Sequence, residues 1–514
     1  ERVAVTGSEP PAVADPVPAD SLPKDPGAAR NTLLQLASQL GSAVFTAGLT
    51  LYLVRALGAS NYGIYALAVS LGALMLFPAG LGLPLAIGRF IADHWGNAGQ
   101  IRAIFRVGLR MQLISGVVFG LGLFAASGLV ADAYGEPGLG WPLRWVALSV
   151  IGQALFAFLA SAGASVRRLS VSLWMSIIES VAETSTAIVL VVAGAGAAGA
   201  AAGKAFGYTV ATVAGLFLTV RLLGGRRRGE RVRLPISLGA ISRYAGAMFV
   251  VDVTWSAISQ VDVLLIGAVL TTADVGSFGA VLRVLTVLGY LGTAVASGVA
   301  PRLSLAGGKP DARPLEDGIR YLVIVQGLAI APMIVWATPI THLLLGDGYR
   351  ASAQIMRALT PYYFISAPAA LITLAVTYLG EARRRVVVML ATLAFGLVAT
   401  YVLLEVMGVV GAAVADDLML WAYVGAHLWI CADLITLDLA RLAWSLLRTV
   451  LAAGAMALVL LVIGTRQLSL AQWLVGALGG TAAFAAGLLV TRELSLAEIR
   501  NVATRLRAGA LGAR

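Results

Sequence analysis

Residues 383–404 read RRRVVVMLATLAFGLVATYVLL, three arginines followed by nineteen residues without a charge before Glu405. Wound as an α-helix at about 1.5 Å per residue, nineteen residues span about 28 Å, close to the thickness of a bilayer's hydrocarbon core. The run is continuous rather than alternating, so it does not read as a barrel strand. A helix also satisfies its own backbone N–H and C=O groups, as lipid requires. The arginine triplet holds one end of the span at the water boundary.

The pattern recurs along the chain. Apolar runs fall at 31–54, 63–91, 107–130, 143–164, 171–194, 198–222, 243–269, 275–300, 320–345, 356–379, 386–404, 409–433, 447–464 and 473–491. Charged residues make up 12% of the chain, against about 25% in an ordinary soluble domain. The expectation is an all-α polytopic membrane protein of about fourteen transmembrane helices, with little chain left for a soluble domain. Pro78, Gly80, Gly82 and Pro84 predict a kink in the second span. Cys431 sits alone in an apolar run and His94, His342 and His427 are scattered, so neither a disulfide framework nor a metal or cofactor site is expected. Residues 1–29 hold six prolines and no apolar h-region, and read as a disordered cytoplasmic tail.

Basic residues occupy alternate gaps. Arg102 and Arg106, Arg167 and Arg168, Arg226 to Arg233, Arg302 with Lys309, Arg383 to Arg385, and Arg441 mark one side, while the opposite gaps carry only Arg55, Arg350 and Arg466. Lys/Arg bias sets orientation, so both termini are expected in the cytoplasm. The formal net charge of +11 lies at helix ends rather than on a basic patch, which argues against nucleic-acid binding. Residues 492–514 read as a basic amphipathic segment on anionic headgroups.

The chain also repeats itself. Leu57, Asn61, Gly63 and Tyr65 return as Leu270, Asp274, Gly276 and Phe278 at an offset of 213, and Arg89 returns as Arg302. Gly199-Ala200-Ala201 matches Gly411-Ala412-Ala413 at 212, and Arg167-Arg168 matches Arg383-Arg384 at 216. An offset covering six spans keeps both halves in one orientation, the parallel-repeat plan in which a central cavity rocks open to either side. This divides the chain into a tail (1–29), an N-lobe (30–233), a C-lobe (234–440), a C-terminal helix pair (441–491) and a second tail (492–514).

The segments RALGASNYGIY (55–65), GLPLAIGRFIA (82–92), VDVLLIG (261–267) and LLGDGY (344–349) resemble the polysaccharide transporter, or Wzx-type flippase, family. The resemblance covers most of residues 30–435 and implies a flippase of the multidrug/oligosaccharidyl-lipid/polysaccharide superfamily in a bacterial cytoplasmic membrane. Such proteins move a polyprenyl-diphosphate-linked oligosaccharide between leaflets. Membrane lipids and a glycan polymerase or transferases of the same pathway are the implied partners.

Charges inside spans are costly and mark pathways or pairs. Asp262 and Arg283 sit about ten residues either side of the seventh–eighth turn. They form either a salt bridge locking that hairpin, or a cavity-facing diphosphate site on Arg283 with Asp262 as its resting counter-ion; a guanidinium fork suits phosphate. Lys204 and Asp416 are repeat-equivalent and opposite in sign, fit either to close a gate together or to snorkel separately. Glu179 and Glu183 share one helix face, where they can share a proton, bind Na⁺ or simply hydrogen-bond to the sixth span. Asp252 is a third candidate for ion coupling by H⁺ or Na⁺. Arg89, four residues before Asp93, either anchors a helix end or captures diphosphate, and Arg55 caps the outer mouth or snorkels.

There is no Walker A sequence and no nucleotide domain, so the protein is expected to be no enzyme and not to use ATP directly. Three other readings stand beside the flippase: a cation-coupled multidrug exporter, which favours an acidic cavity without arginine; a lipid II flippase; and a membrane glycan polymerase or ligase, which needs a larger outer loop.

Overall fold

The computed structural model describes residues 26–94, 97–166, 168–222, 236–299, 312–349, 351–379, 381–495 and 498. The expected N-terminal tail up to residue 25, the arginines of 226–233, Arg302, Lys309 and almost all of the basic C-terminal tail lie outside them. So does the side chain of Asp252.

The described chain is helical throughout: α1 (Pro26–Gly80), α2 (Leu83–Asp93), α3 (Ala98–Ala133), α4 (Gly140–Ser165), α5 (Leu169–Val192), α6 (Gly196–Leu222), α7 (Leu238–Ile258), α8 (Val261–Val269), α9 (Thr272–Val299), α10 (Arg313–Val335), α11 (Ala337–Leu345), α12 (Ser352–Ala358), α13 (Thr360–Tyr378), α14 (Ala382–Met407), α15 (Val409–Leu434), α16 (Leu439–Ile463) and α17 (Leu470–Val490). Among the described residues ten helices are long and apolar enough to cross a membrane, or eleven counting one bent pair. The protein is an all-α polytopic membrane protein. The first two expected spans run together in α1 and part at Gly58 (φ 70°).

Several expected single spans are broken. The second breaks where Leu81 (φ 49°) and Gly82 (φ 64°) turn left-handed, just ahead of the Pro84 that lacks an N–H. The carbonyls around the break find side-chain partners: Ala79 O accepts from Gln112 Nε2 and Ser115 Oγ, both at 2.8 Å, and Pro84 O accepts from Ser161 Oγ at 2.6 Å. The expected span 243–269 divides at Ser259 and Gln260 into α7 and α8. The expected span 320–345 divides at Trp336, four residues after Pro332. The pair α12 and α13 bends by 48°.

The two halves meet through equivalent residues. A Cβ on Gly63 would overlap Thr272 O, and one on Gly276 would overlap Ala59 O. Ala59 and Thr272, like Gly63 and Gly276, are 213 residues apart, so α1 and α9 cross along the pseudo-twofold. Ser60 Oγ and Thr272 Oγ1 share a hydrogen bond at 3.1 Å there.

Helices α16 and α17 pack on the second half. Ala452, Met456 and Phe484 pack against Ile324, Ala331 and Trp336 of the α10 region, and Trp336 Nε1 donates to Gly464 O at 2.9 Å.

Candidate functional site

Among the described residues, a polar pocket lies in each lobe. The N-lobe pocket, about 310 Å³, is lined by Tyr62 and Tyr65 of α1, Glu179 and Glu183 of α5, Lys204 and Tyr208 of α6, and Arg283, which reaches in from α9 of the other half. Small residues bring α5 and α6 close: Gly203 abuts Ala187 and Gly207 abuts Glu183, the small-xxx-small spacing that lets membrane helices approach. As a result Lys204 Nζ lies 3.4 Å from Glu183 Oε1 and 5.1 Å from the Tyr208 ring centre. Ser180 Oγ donates to Glu179 Oε2 at 3.2 Å, and the Glu179 and Glu183 carboxyl groups contact each other. Two carboxyl groups hydrogen-bond only when one carries a proton. Arg283 remains exposed.

The C-lobe pocket is smaller, about 90 Å³, and its lining includes Asp262, Leu282, Tyr362, Thr392, Asp416 and Leu420. Asp262 and Asp416 are 5% and 4% exposed and their side chains touch. Asp262 Oδ1 accepts from the Val263 N–H at 2.7 Å. Asp417 turns to a separate task, accepting from the Tyr362 N–H at 2.6 Å.

The two pockets are copies of one position in the repeat. Leu49, Val69 and Glu179 of the first map at an offset of 213 onto Asp262, Leu282 and Thr392 of the second, and Lys204 and Tyr208 map at 212 onto Asp416 and Leu420. The duplication is thus visible in side chains that line cavities, with the charge reversed from Lys204 to Asp416.

These placements differ from several expectations. Asp262 and Arg283 form neither a locking bridge nor a resting pair. The break before α8 puts Asp262 in its first turn, beside Asp416 of α15, whereas Arg283 opens into the N-lobe pocket. Lys204 and Asp416 do not close a gate on each other; each is held within its own lobe. Arg89 stays out of both linings, 3.7 Å from Asp93 with its guanidinium 4.8 Å from the Tyr244 ring centre, so it links α2 to α7. Arg55 donates to the carbonyls of Leu343 and Leu344 at the end of α11, and Tyr349 Oη donates to Val54 O at 2.6 Å nearby; it caps a contact between the halves. The tyrosines of the N-lobe pocket escaped the sequence reading. Tyr208 falls one turn after Lys204, the one signal that marked its face.

A broken-helix bundle of two repeated lobes, each with a charged pocket, matches the parallel-repeat plan expected from the sequence. Residues 52–354 match the family described as Polysaccharide biosynthesis protein, and the chain belongs to that family. A comparison with curated protein sequences finds no match. Among solved structures, the lipid II flippase MurJ in an inward closed conformation aligns with a TM-score of 0.73 at 12% identity, covering 90% of this chain and 99% of that one. An inward-facing multidrug resistance MATE family transporter of the MOP superfamily aligns at 0.63 with 13% identity, covering 78% and 98%. The eukaryotic MATE transporter AtDTX14 aligns at 0.57 with 13% identity, covering 82% and 98%. The fold is that of the MOP-superfamily transporters.

Proposed function

We propose that this protein is a non-enzymatic flippase that carries a polyprenyl-diphosphate-linked oligosaccharide from the cytoplasmic to the outer leaflet of a bacterial cytoplasmic membrane by alternating access, with both termini in the cytoplasm. The observation that carries the reading is the N-lobe pocket with Arg283 and Lys204 in its lining. Glu183 is engaged by Lys204 and Glu179 leans on Glu183; with one proton between the two acids, the lining holds two cations against one anion. Arg283, exposed in the lining, then offers its fork to a diphosphate, the chemistry in which bidentate guanidinium contacts are strongest. Membership of the polysaccharide biosynthesis family supports a sugar-bearing cargo. MurJ, a lipid II flippase of like fold, handles cargo of the same class and supports the lipid-linked reading.

Coupling falls to the C-lobe. Asp262 and Asp416 in contact need a proton or a cation between them, and their pocket is separate from the cationic one. The cycle would load H⁺ or Na⁺ in one lobe while the anionic head occupies the other.

The test is translocation of a fluorescent polyprenyl-diphosphate oligosaccharide in proteoliposomes, wild type against Arg283→Ala. Loss of transport in the variant, with folding intact by size exclusion, supports the diphosphate site. Full transport by the variant refutes it. A wild type that moves organic cations and no lipid-linked glycan returns the multidrug-exporter reading.

A further inference from the structure

On the face of the bundle where α10 and α16 begin and α17 ends, a cavity of about 320 Å³ is lined by Arg320 of α10, by Arg441, Trp444, Ser445 and Arg448 of α16, and by Glu493. Positions 441, 444, 445 and 448 fall at i, i+3, i+4 and i+7, so they form one stripe of α16. The floor is closed. Glu493, 2% exposed, accepts from Arg320 Nε at 2.8 Å and Ser445 Oγ at 2.7 Å, and Arg320 also reaches Glu498 at 3.1 Å.

The rim is different. The Arg448 side chain is 39% exposed and meets Glu493 only at 3.5 Å. The Arg441 side chain is 46% exposed, shared between Glu316 at 3.2 Å and Asp317 at 3.0 Å, and Asp317 is itself 49% exposed. An incoming anion therefore enters by exchange, replacing the long contact on Arg448 and the solvated one on Arg441. Trp444, 57% exposed, stands between them, and Leu447 and Leu451 continue outward on α16 at 46% and 56% exposure. A tryptophan at headgroup level above exposed leucines fits acyl chains below a phosphate.

We infer that this cavity binds the headgroup phosphate of an anionic membrane phospholipid, held by the forks of Arg441 and Arg448 with its chains along Leu447 and Leu451. The bound lipid would tie α16 to α10 and to the segment around Glu493.

The test uses the full chain in nanodiscs of phosphatidylcholine with graded phosphatidylglycerol, reading retained lipid by native mass spectrometry. Wild type is expected to retain phosphatidylglycerol preferentially. Basic contacts at a membrane surface are each worth about fivefold in affinity, so the double variant Arg441→Gln/Arg448→Gln should lose about 25-fold. The double variant Arg441→Lys/Arg448→Lys should keep most of the preference. If the glutamine pair fails to fold, Arg448→Gln alone carries the test with an expected loss of about fivefold. An unchanged preference in the glutamine variants, or none in wild type, overturns the inference. Displacement of the lipid by millimolar inorganic phosphate overturns it in favour of a free-phosphate site.

Discussion

Replacing Gly276 by alanine should part the two halves at their crossing. In an open helix surface the change is favourable by about 1 kcal/mol, because glycine is a poor helix former. Here the added methyl meets Ala59 O and the Gly63 N–H region, all backbone, which cannot rotate away. Overpacking costs about 1–3 kcal/mol, and two rigid obstacles put this site at the upper end. The net is about 2 kcal/mol against the closed crossing, roughly a thirtyfold change in its population. Gly128→Ala is the control, since nothing lies within 4 Å of a Cβ there. Spin labels replacing Asp132, at the end of α3, and Asp347, in the turn after α11, read the separation by double electron–electron resonance, in a Cys431→Ser background. Gly276→Ala should populate longer distances and lower Tm, while Gly128→Ala leaves distances alone and holds or raises Tm. Equal behaviour of the two variants would refute the close-approach argument.

Other outcomes follow from the same geometry. Lys204→Met leaves Glu183 buried beside Glu179 without its ammonium, and breaking such a pair from one side costs about 3 kcal/mol; adding Glu183→Gln should restore most of the lost Tm, and no restoration would mean the pair is not the cause. Asp416→Asn should abolish uptake driven by an ion gradient in proteoliposomes while equilibrium exchange of substrate persists; retained gradient drive would remove the Asp262–Asp416 pair from coupling. Glu498, outside the spans, is held below the usual carboxylate range, chiefly by its hydrogen bond from Arg320. A depressed folded pKa stabilises above the ordinary value and is lost as the pH falls through the folded one. The Tm gap between wild type and Glu498→Gln should therefore be present at pH 7 and close in acid, and a gap independent of pH would contradict the assignment.

Much of the fold was legible because lipid leaves the backbone few options: uncharged runs of span length, flanked by arginine, read as helices and are helices. The repeat was legible too, since Gly63 and Gly276 keep their identity for a steric reason. Helix breaks were legible only where proline and glycine cluster, as at Pro78–Pro84. The break at Ser259–Gln260 carries no such signal, and it is what turns Asp262 toward Asp416 instead of Arg283. Counting residues from the turn is an estimate of height along the helices and is silent on azimuth. A single sequence gives the first from residue counts, whereas the second depends on how each helix is rotated by its packing. The Glu183–Lys204 contact was obscured for the same reason, although the glycine spacing of α6 marks a face that another helix can approach closely.

The reversal of charge from Lys204 to Asp416 between the two equivalent pockets constrains any energetic scheme for the proposed transport. In the proposed cycle cargo and driving ion have separate addresses, so neither needs to evict the other by direct competition. Communication between them has a direct path in α9, whose Leu282 lines the second pocket while the adjacent Arg283 lines the first, and it takes the form of thermodynamic linkage. Linkage is reciprocal: whatever factor cation occupancy applies to cargo affinity, cargo applies to cation affinity. A titration of either ligand in the presence of the other would thus measure the same number from opposite ends.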